Sequence, residues 1–135
     1  MTLRDVMEFL QKFEAKADNY YCGTLDGKKD KSIGVYQLKS RLGAQMAIGG
    51  RDNTKTLYKS VSLLVHWTNN SDDTEKFAKA LYDELESVKS VTIGGHLCNY
   101  VELLQFEPVD VGTDEHGIFE RVIECIFYYE SEEKI

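Results

Sequence analysis

Six residues of this chain have side chains suited to metal ligation or to nucleophilic catalysis: His66, His96, His116, Cys22, Cys98 and Cys125. His96 and Cys98 fall two apart, so they share a face of any strand that holds them, and His66 and His116 can approach them. Zinc needs three or four ligands at workable spacing. The chain has no Cys-x-x-Cys and no His-x-x-x-His. A cysteine nucleophile with a histidine base needs an activated thiol and an oxyanion-forming turn, and neither is recognisable. Acids are abundant everywhere, so a glycosidase-like carboxylate pair has no special support. The expectation is surface histidines, buried thiols, no metal, no cofactor and no catalytic residue.

Two further stretches invite the same question. "KSRLGAQMAIGGRDNTKT", residues 39–56, holds Gly43, Gly49 and Gly50. A nucleotide-binding loop needs Gly, four residues, then Gly-Lys-Ser/Thr, so that amides and a lysine surround the phosphates. Here five residues separate Gly43 from Gly49, and Arg51-Asp52 follows Gly50, so the lysine and the magnesium-binding hydroxyl are missing. "SDDTE", residues 71–75, is a helix start before it is a cation site.

The 39–56 stretch stands out for its mixture of side chains instead. Lys39, Arg41, Arg51 and Lys55 give it positive charge, and Leu42, Met46 and Ile48 are costly to leave in water. Burying one such side chain is worth about 1.5–3 kcal/mol. Either these residues tuck under their own domain, or they dock on a neighbouring subunit whose acidic surface meets the arginines. From Lys28 to Lys59 there are eight Lys/Arg against two acids, about +6 in a chain of net charge −7. From Glu102 onward there are ten acids against Arg121 and Lys134. A molecule with one basic and one acidic region can bind copies of itself head to tail. The basic segment also suits nucleic acid, although the overall charge opposes that and no recognition motif is present.

The elements that must carry these residues follow from periodicity. Residues 3–15 read as an amphipathic helix, with Val6, Phe9, Leu10 and Phe13 at helical spacing and Thr2 with Asp5 as a capping box. "YYCGTL" (20–25) and "SIGVYQL" (32–38) read as strands around the polar turn "DGKKDK", a pattern that suggests a hairpin. "TLYKSVSLLVHW" (56–67) is the clearest strand, with Leu57, Val61, Leu63, Val65 and Trp67 on one face. "NNSDDTEKFAKALYDELESV" is a helix capped by Asn70 or Ser71, with Phe77, Leu81, Leu85 and Val88 as its apolar stripe. The Gly94-Gly95 pair predicts a tight hairpin, with a strand running on to about Phe106. Pro108 marks the end of regular pairing, and "VGTDEHG" is a turn. "IFERVIECIFYYE" (118–130) is a final strand with apolar residues on both faces, as an interior strand or one with a covered second face has. Residues 131–135 read as a frayed acidic tail.

The order is α-β-β-loop-β-α-β-β. It predicts an α+β fold: residues 1–135 as a single domain, with a mostly antiparallel or mixed sheet of four to five strands. Two α-helices pack on one face, and an extended loop, 39–56, separates strands 2 and 3. A length of 135 residues and a single proline suit one folded domain. The N-terminus does not read as a signal peptide, no run reaches the roughly 20 apolar residues of a membrane span, and three widely spaced cysteines suit reduced thiols in a cytoplasm.

Four passages in order resemble the small phage proteins described as minor capsid proteins, and more broadly the tail terminators of long-tailed bacteriophages. They are the N-terminal helix; "SIGVYQLKSR"; "LYKSVSLLVHWTNNSDDTEKFAKALYDELESV"; and "VTIGGHLCNYVELLQFEPVDVGTDEHGIFERVIECIFYY". The resemblance spans about residues 3–130. It implies a virion structural protein of the tail or head–tail junction, assembled in the bacterial cytoplasm and without catalytic residues. Such proteins form rings, commonly hexameric, which cap the finished tail tube and meet the head connector. DNA passes through the lumen without specific recognition. On that implication Lys39, Arg41, Leu42, Met46, Ile48, Arg51 and Lys55 are expected to form an assembly arm. The alternatives are another head–tail joining protein, or a nucleic-acid-binding module using residues 28–59.

Overall fold

The computed structural model describes residues 1–39 and 55–133. In chain order the elements are α1 (Leu3–Leu10), β1 (Asn19–Cys22), β2 (Ser32–Gln37), β3 (Thr56–His66), α2 (Ser71–Glu86), β4 (Lys89–Ile93), β5 (His96–Leu103), β6 (Val109–Thr113) and β7 (Phe119–Glu133). The fold is α+β with a mixed sheet, but the sheet has seven strands instead of four to five. Its order is β1-β2-β3-β7-β5-β4, and β6 also pairs with β7.

β7 organises this sheet. One edge pairs with β3 without a break, from Thr56 opposite Glu130 to His66 opposite Glu120. The other edge takes β5 first and then β6. An interior strand needs apolar residues on both faces, and Ile123, Cys125, Ile126 and Phe127 are all buried. β7 runs to Glu133, three residues into the segment read as a frayed tail.

One of the extra strands is β6. Pairing of β5 ends at Leu103, before Pro108, and the chain returns to the same edge of β7 directly after the proline, at Val109. The expected hairpin of β1 and β2 is also absent. These strands are parallel, Asn19 opposite Ser32 and Cys22 opposite Val35. A hairpin turn uses two to five residues. Residues 23–31 instead carry the chain back along β1, leaving through Gly23 at φ +91. The N–H of Lys31 donates to the Trp67 carbonyl and that of Asp18 to the Lys31 carbonyl, which fixes the return.

α1 stops at Leu10, short of the expected Ala15. Its capping box is as read: Asp5 N–H donates to the Thr2 hydroxyl and Thr2 N–H to the Asp5 carboxylate. At the other end a carboxylate from α2 overrides helical periodicity. Glu84 accepts the N–H groups of Glu14 and Ala15 at 3.1 and 2.6 Å, turning the chain toward β1. α2 is capped by Asn70, whose side chain accepts from the N–H groups of Asp72 and Asp73. Both helices contribute to one core: Val6 and Leu10 from α1, Ala78, Leu81 and Leu85 from α2, against Ile33, Val35, Val61, Leu63, Val65, Ile123, Cys125 and Phe127. The Gly94-Gly95 hairpin forms as read, with both glycines at positive φ, as a two-residue turn of the primed kind requires.

Candidate assembly interface

Five large apolar side chains stay in water among the described residues: Tyr100, Leu104, Phe106, Val109 and Val111. They lie along β5, the connection 104–108 and β6. For Leu104 and Phe106 the cause is a mismatch in length. Leu103 is opposite Cys125 and Val109 is opposite Val122, so two residues of β7 face five residues of the partner chain. The surplus cannot lie flat and stands out from the sheet as a ridge, with Phe106 fully exposed at its crest.

The ridge is held firmly. The Leu104 N–H donates to the Glu124 carbonyl at 3.0 Å. Tyr82, on α2, donates its hydroxyl to the Gln105 carbonyl at 2.7 Å. The Gln105 amide donates to the Glu124 carboxylate at 2.7 Å. At the far foot, the Arg121 guanidinium donates to the Pro108 carbonyl at 3.4 Å. Phe106 is therefore presented at little further entropic cost to a partner. Beyond it, β6 is exposed at every residue, and among the described residues β7 is its one strand partner. Residues 102–113 carry three acids, Glu102, Glu107 and Asp110, and no Lys or Arg.

A groove runs along each side of the ridge. One, of about 420 Å³, is lined by Tyr82, Glu86, Val101, Leu103, Leu104 and Phe106 among others. The second, of about 470 Å³, lies between α2 and Pro108 and is lined mainly by charged residues, including Asp72, Glu75, Lys76, Lys79 and Arg121. Their charges are taken up locally. Lys76 meets Asp72 at 2.8 Å and Lys79 meets Asp83 at 2.5 Å, and hydrogen bonding to those carboxylates raises both lysines, away from the range useful to an acid or base.

The arm predicted from sequence lies mostly outside the described residues: Arg41, Leu42, Met46, Ile48 and Arg51 fall there. Lys39 and Lys55, at its two ends, are described and exposed. The Lys55 carbonyl accepts the N–H of Ser131, so the arm enters β3 at the end of the sheet where β7 finishes. The ridge begins at the level of Cys125 and runs to Phe119. At about 3.4 Å per residue, roughly 30 Å of β7 separates Ser131 from Val122. Lys55 and the acidic, apolar ridge thus sit at different ends of one strand.

The three histidines do not converge with the cysteines as a ligand set. Among the described residues the one group of three or more potential ligands is His66, Asp114 and Glu120. His66 is fully buried, which corrects its reading as a surface histidine, because residues 23–31 cross its end of the sheet and place the Gly27 carbonyl on its ring. Cys98 and Cys125 are buried as expected, but Cys22, at the end of edge strand β1, is exposed.

The described part of this α+β fold thus leaves an apolar ridge in water beside two grooves. A family model described as bacteriophage tail terminator protein matches residues 3–130, and the chain belongs to that family. No curated protein matches it. The chain is accordingly a phage tail structural protein, with its place in the virion. Among the described residues no helix is long and apolar enough to cross a membrane.

Proposed function

We propose that this protein closes the completed tail tube as a ring of identical subunits, six in number by the resemblance, and joins the tube to the head connector. The observation that carries this reading is the ridge of Leu104, Phe106, Val109 and Val111. Its occupant is a second copy of the chain. The ridge is acidic, the 28–59 segment carries a basic excess, and Lys55, where the arm joins β3, lies at the opposite end of β7 from the ridge, so one copy's arm meets the next copy's ridge. Such a contact is heterologous, and heterologous contacts close into rings when the rotation permits. Arg41 and Arg51 meet the acids, while Leu42, Met46 and Ile48 cover Phe106. Lys39 and Lys55 flank the contact. The ring's other partners are the tail tube protein and the connector, and DNA passes its lumen without specific recognition.

Light scattering on a size-exclusion column, over a wide concentration range and with purified tail tube added, tests this. The natural protein is expected as a closed species of about six subunits, free or on the tube. Phe106→Asp, and separately the double change Arg41→Glu with Arg51→Glu, should leave a folded monomer with an unchanged melting temperature. Assembly that survives both variants rules out this interface.

A further inference from the structure

The end of β3 carries a histidine that assembly does not use. His66 Nε2 lies 3.1 Å from the Gly27 carbonyl oxygen. That oxygen can only accept, so Nε2 carries a hydrogen and donates it. Nδ1 points the other way, 2.8 Å from Glu120 Oε2 and 3.7 Å from Asp114 Oδ2. With Gly27 setting the tautomer, a neutral ring turns its Nδ1 lone pair toward two carboxylates. A positive charge belongs among these three atoms, either a proton on the ring or a metal ion.

The surroundings favour the metal. The three ligand atoms lie within 4.8 Å of one another. An imidazole that donates its second N–H to a backbone carbonyl has the outer-shell support typical of metal-bound histidine. Asp114 is oriented in the same way. Its Oδ1 accepts the N–H groups of His116 and Ile118 at 2.9 and 3.0 Å, which leaves Oδ2 for His66. Glu120 stands directly opposite His66 across the β3–β7 ladder, so strand register fixes that pair. Zinc bonds of about 2.0–2.2 Å place tetrahedral ligands roughly 3.4 Å apart. The 2.8 and 3.7 Å separations at Nδ1 bracket that spacing. The side chains of Asp114 and Glu120 keep 17% and 18% exposure, enough for an ion to enter and for water to complete its shell.

We propose that His66 Nδ1, Asp114 Oδ2 and Glu120 Oε2 bind one divalent transition-metal ion of the zinc type. Two carboxylates balance its charge, and water fills the fourth position. The ion has a structural role: it ties the 23–31 connection, through Gly27 and the ring, to the turn before β7 and to β7 itself. This holds whether or not the ring reading is correct.

The test is a zinc titration of the untagged full-length chain, stripped with chelator, followed by calorimetry, with cobalt(II) as a spectroscopic probe. One equivalent per chain is expected, with the visible absorption of a four-coordinate cobalt site and a melting temperature that climbs with free zinc. Asp114→Asn and Glu120→Gln should each weaken binding by more than the roughly 10–100-fold that loss of an outer-shell partner costs, with circular dichroism unchanged. Glu107→Gln, on the ridge, should bind as the natural protein does. Absence of binding, or binding that survives both ligand substitutions, overturns the proposal. So does a nitrogen-15 spectrum in which the His66 ring stays doubly protonated at saturating zinc.

Discussion

β3 and β6 are both antiparallel partners of β7, yet they do opposite things with similar sequence patterns. β3 alternates Val61, Leu63 and Val65, and all three are fully buried beneath the helices. β6 alternates Val109 and Val111, and both are about half in water. The difference lies above the strands and not in them. α1 and α2 cover the face that β3 shares with the centre of β7, whereas α2 touches the ridge through the Tyr82 hydroxyl and leaves its crest bare. An apolar alternation thus serves stability where a helix lies over it, and is available to a partner where none does.

That contrast can be broken first on the buried side. Phe127 is the largest fully buried side chain among the described residues and meets Phe9 edge to face. Phe127→Ala should cost about 3–5 kcal/mol in urea unfolding, because the β3–β7 ladder beneath the helices cannot collapse into the space. A loss near that caused by surface substitutions would mean that the core is not where the contrast puts it.

Thiol chemistry sharpens the same contrast without a substitution in the core. Burial pushes the Cys98 thiol up to about 11, and burial raises Cys125 further still. Alkylation of the native protein near pH 8 should therefore label Cys22 alone, with the other two reacting only after unfolding. Rapid labelling of all three would show that the β5–β7 seam opens readily.

The smallest expected effect lies at the foot of the ridge. Tyr82→Phe removes the donor to the Gln105 carbonyl and should cost about 1 kcal/mol of stability, as loss of one hydrogen bond does. Assembly of this variant should weaken more than its stability, since Phe106 would no longer be held in place. An equal loss in both would make the tyrosine a core residue only.

Much of the framework was legible in sequence. The Thr2–Asp5 capping box, the Asn70 cap, the Gly94-Gly95 turn and the apolar face of β3 depend on residues within a few positions of one another. β6 was hidden because a proline after "LLQFE" reads as an end of pairing, and nothing local says that the chain will rejoin the same strand. Its signal was present in the alternation of "PVDV", too short to separate from a turn. The ridge was hidden for a related reason: Phe106 looks like any strand residue until the five-against-two mismatch is known. His66 reads as a surface residue in the sequence because the segment that buries it, 23–31, has the polar composition of a hairpin turn.

The sequence by itself determined the order of the elements apart from β6, the two helix starts, the separation of basic from acidic regions and the family. These are properties of neighbouring side chains, or of charge summed along the chain. The tertiary structure alone decided that β1 runs parallel to β2, that β5 and β6 share one edge of β7, and that Gly27, His66, Asp114 and Glu120 meet. Each depends on which distant backbones pair, and pairing partners are chosen by what the whole chain can bury at once, which no local pattern encodes.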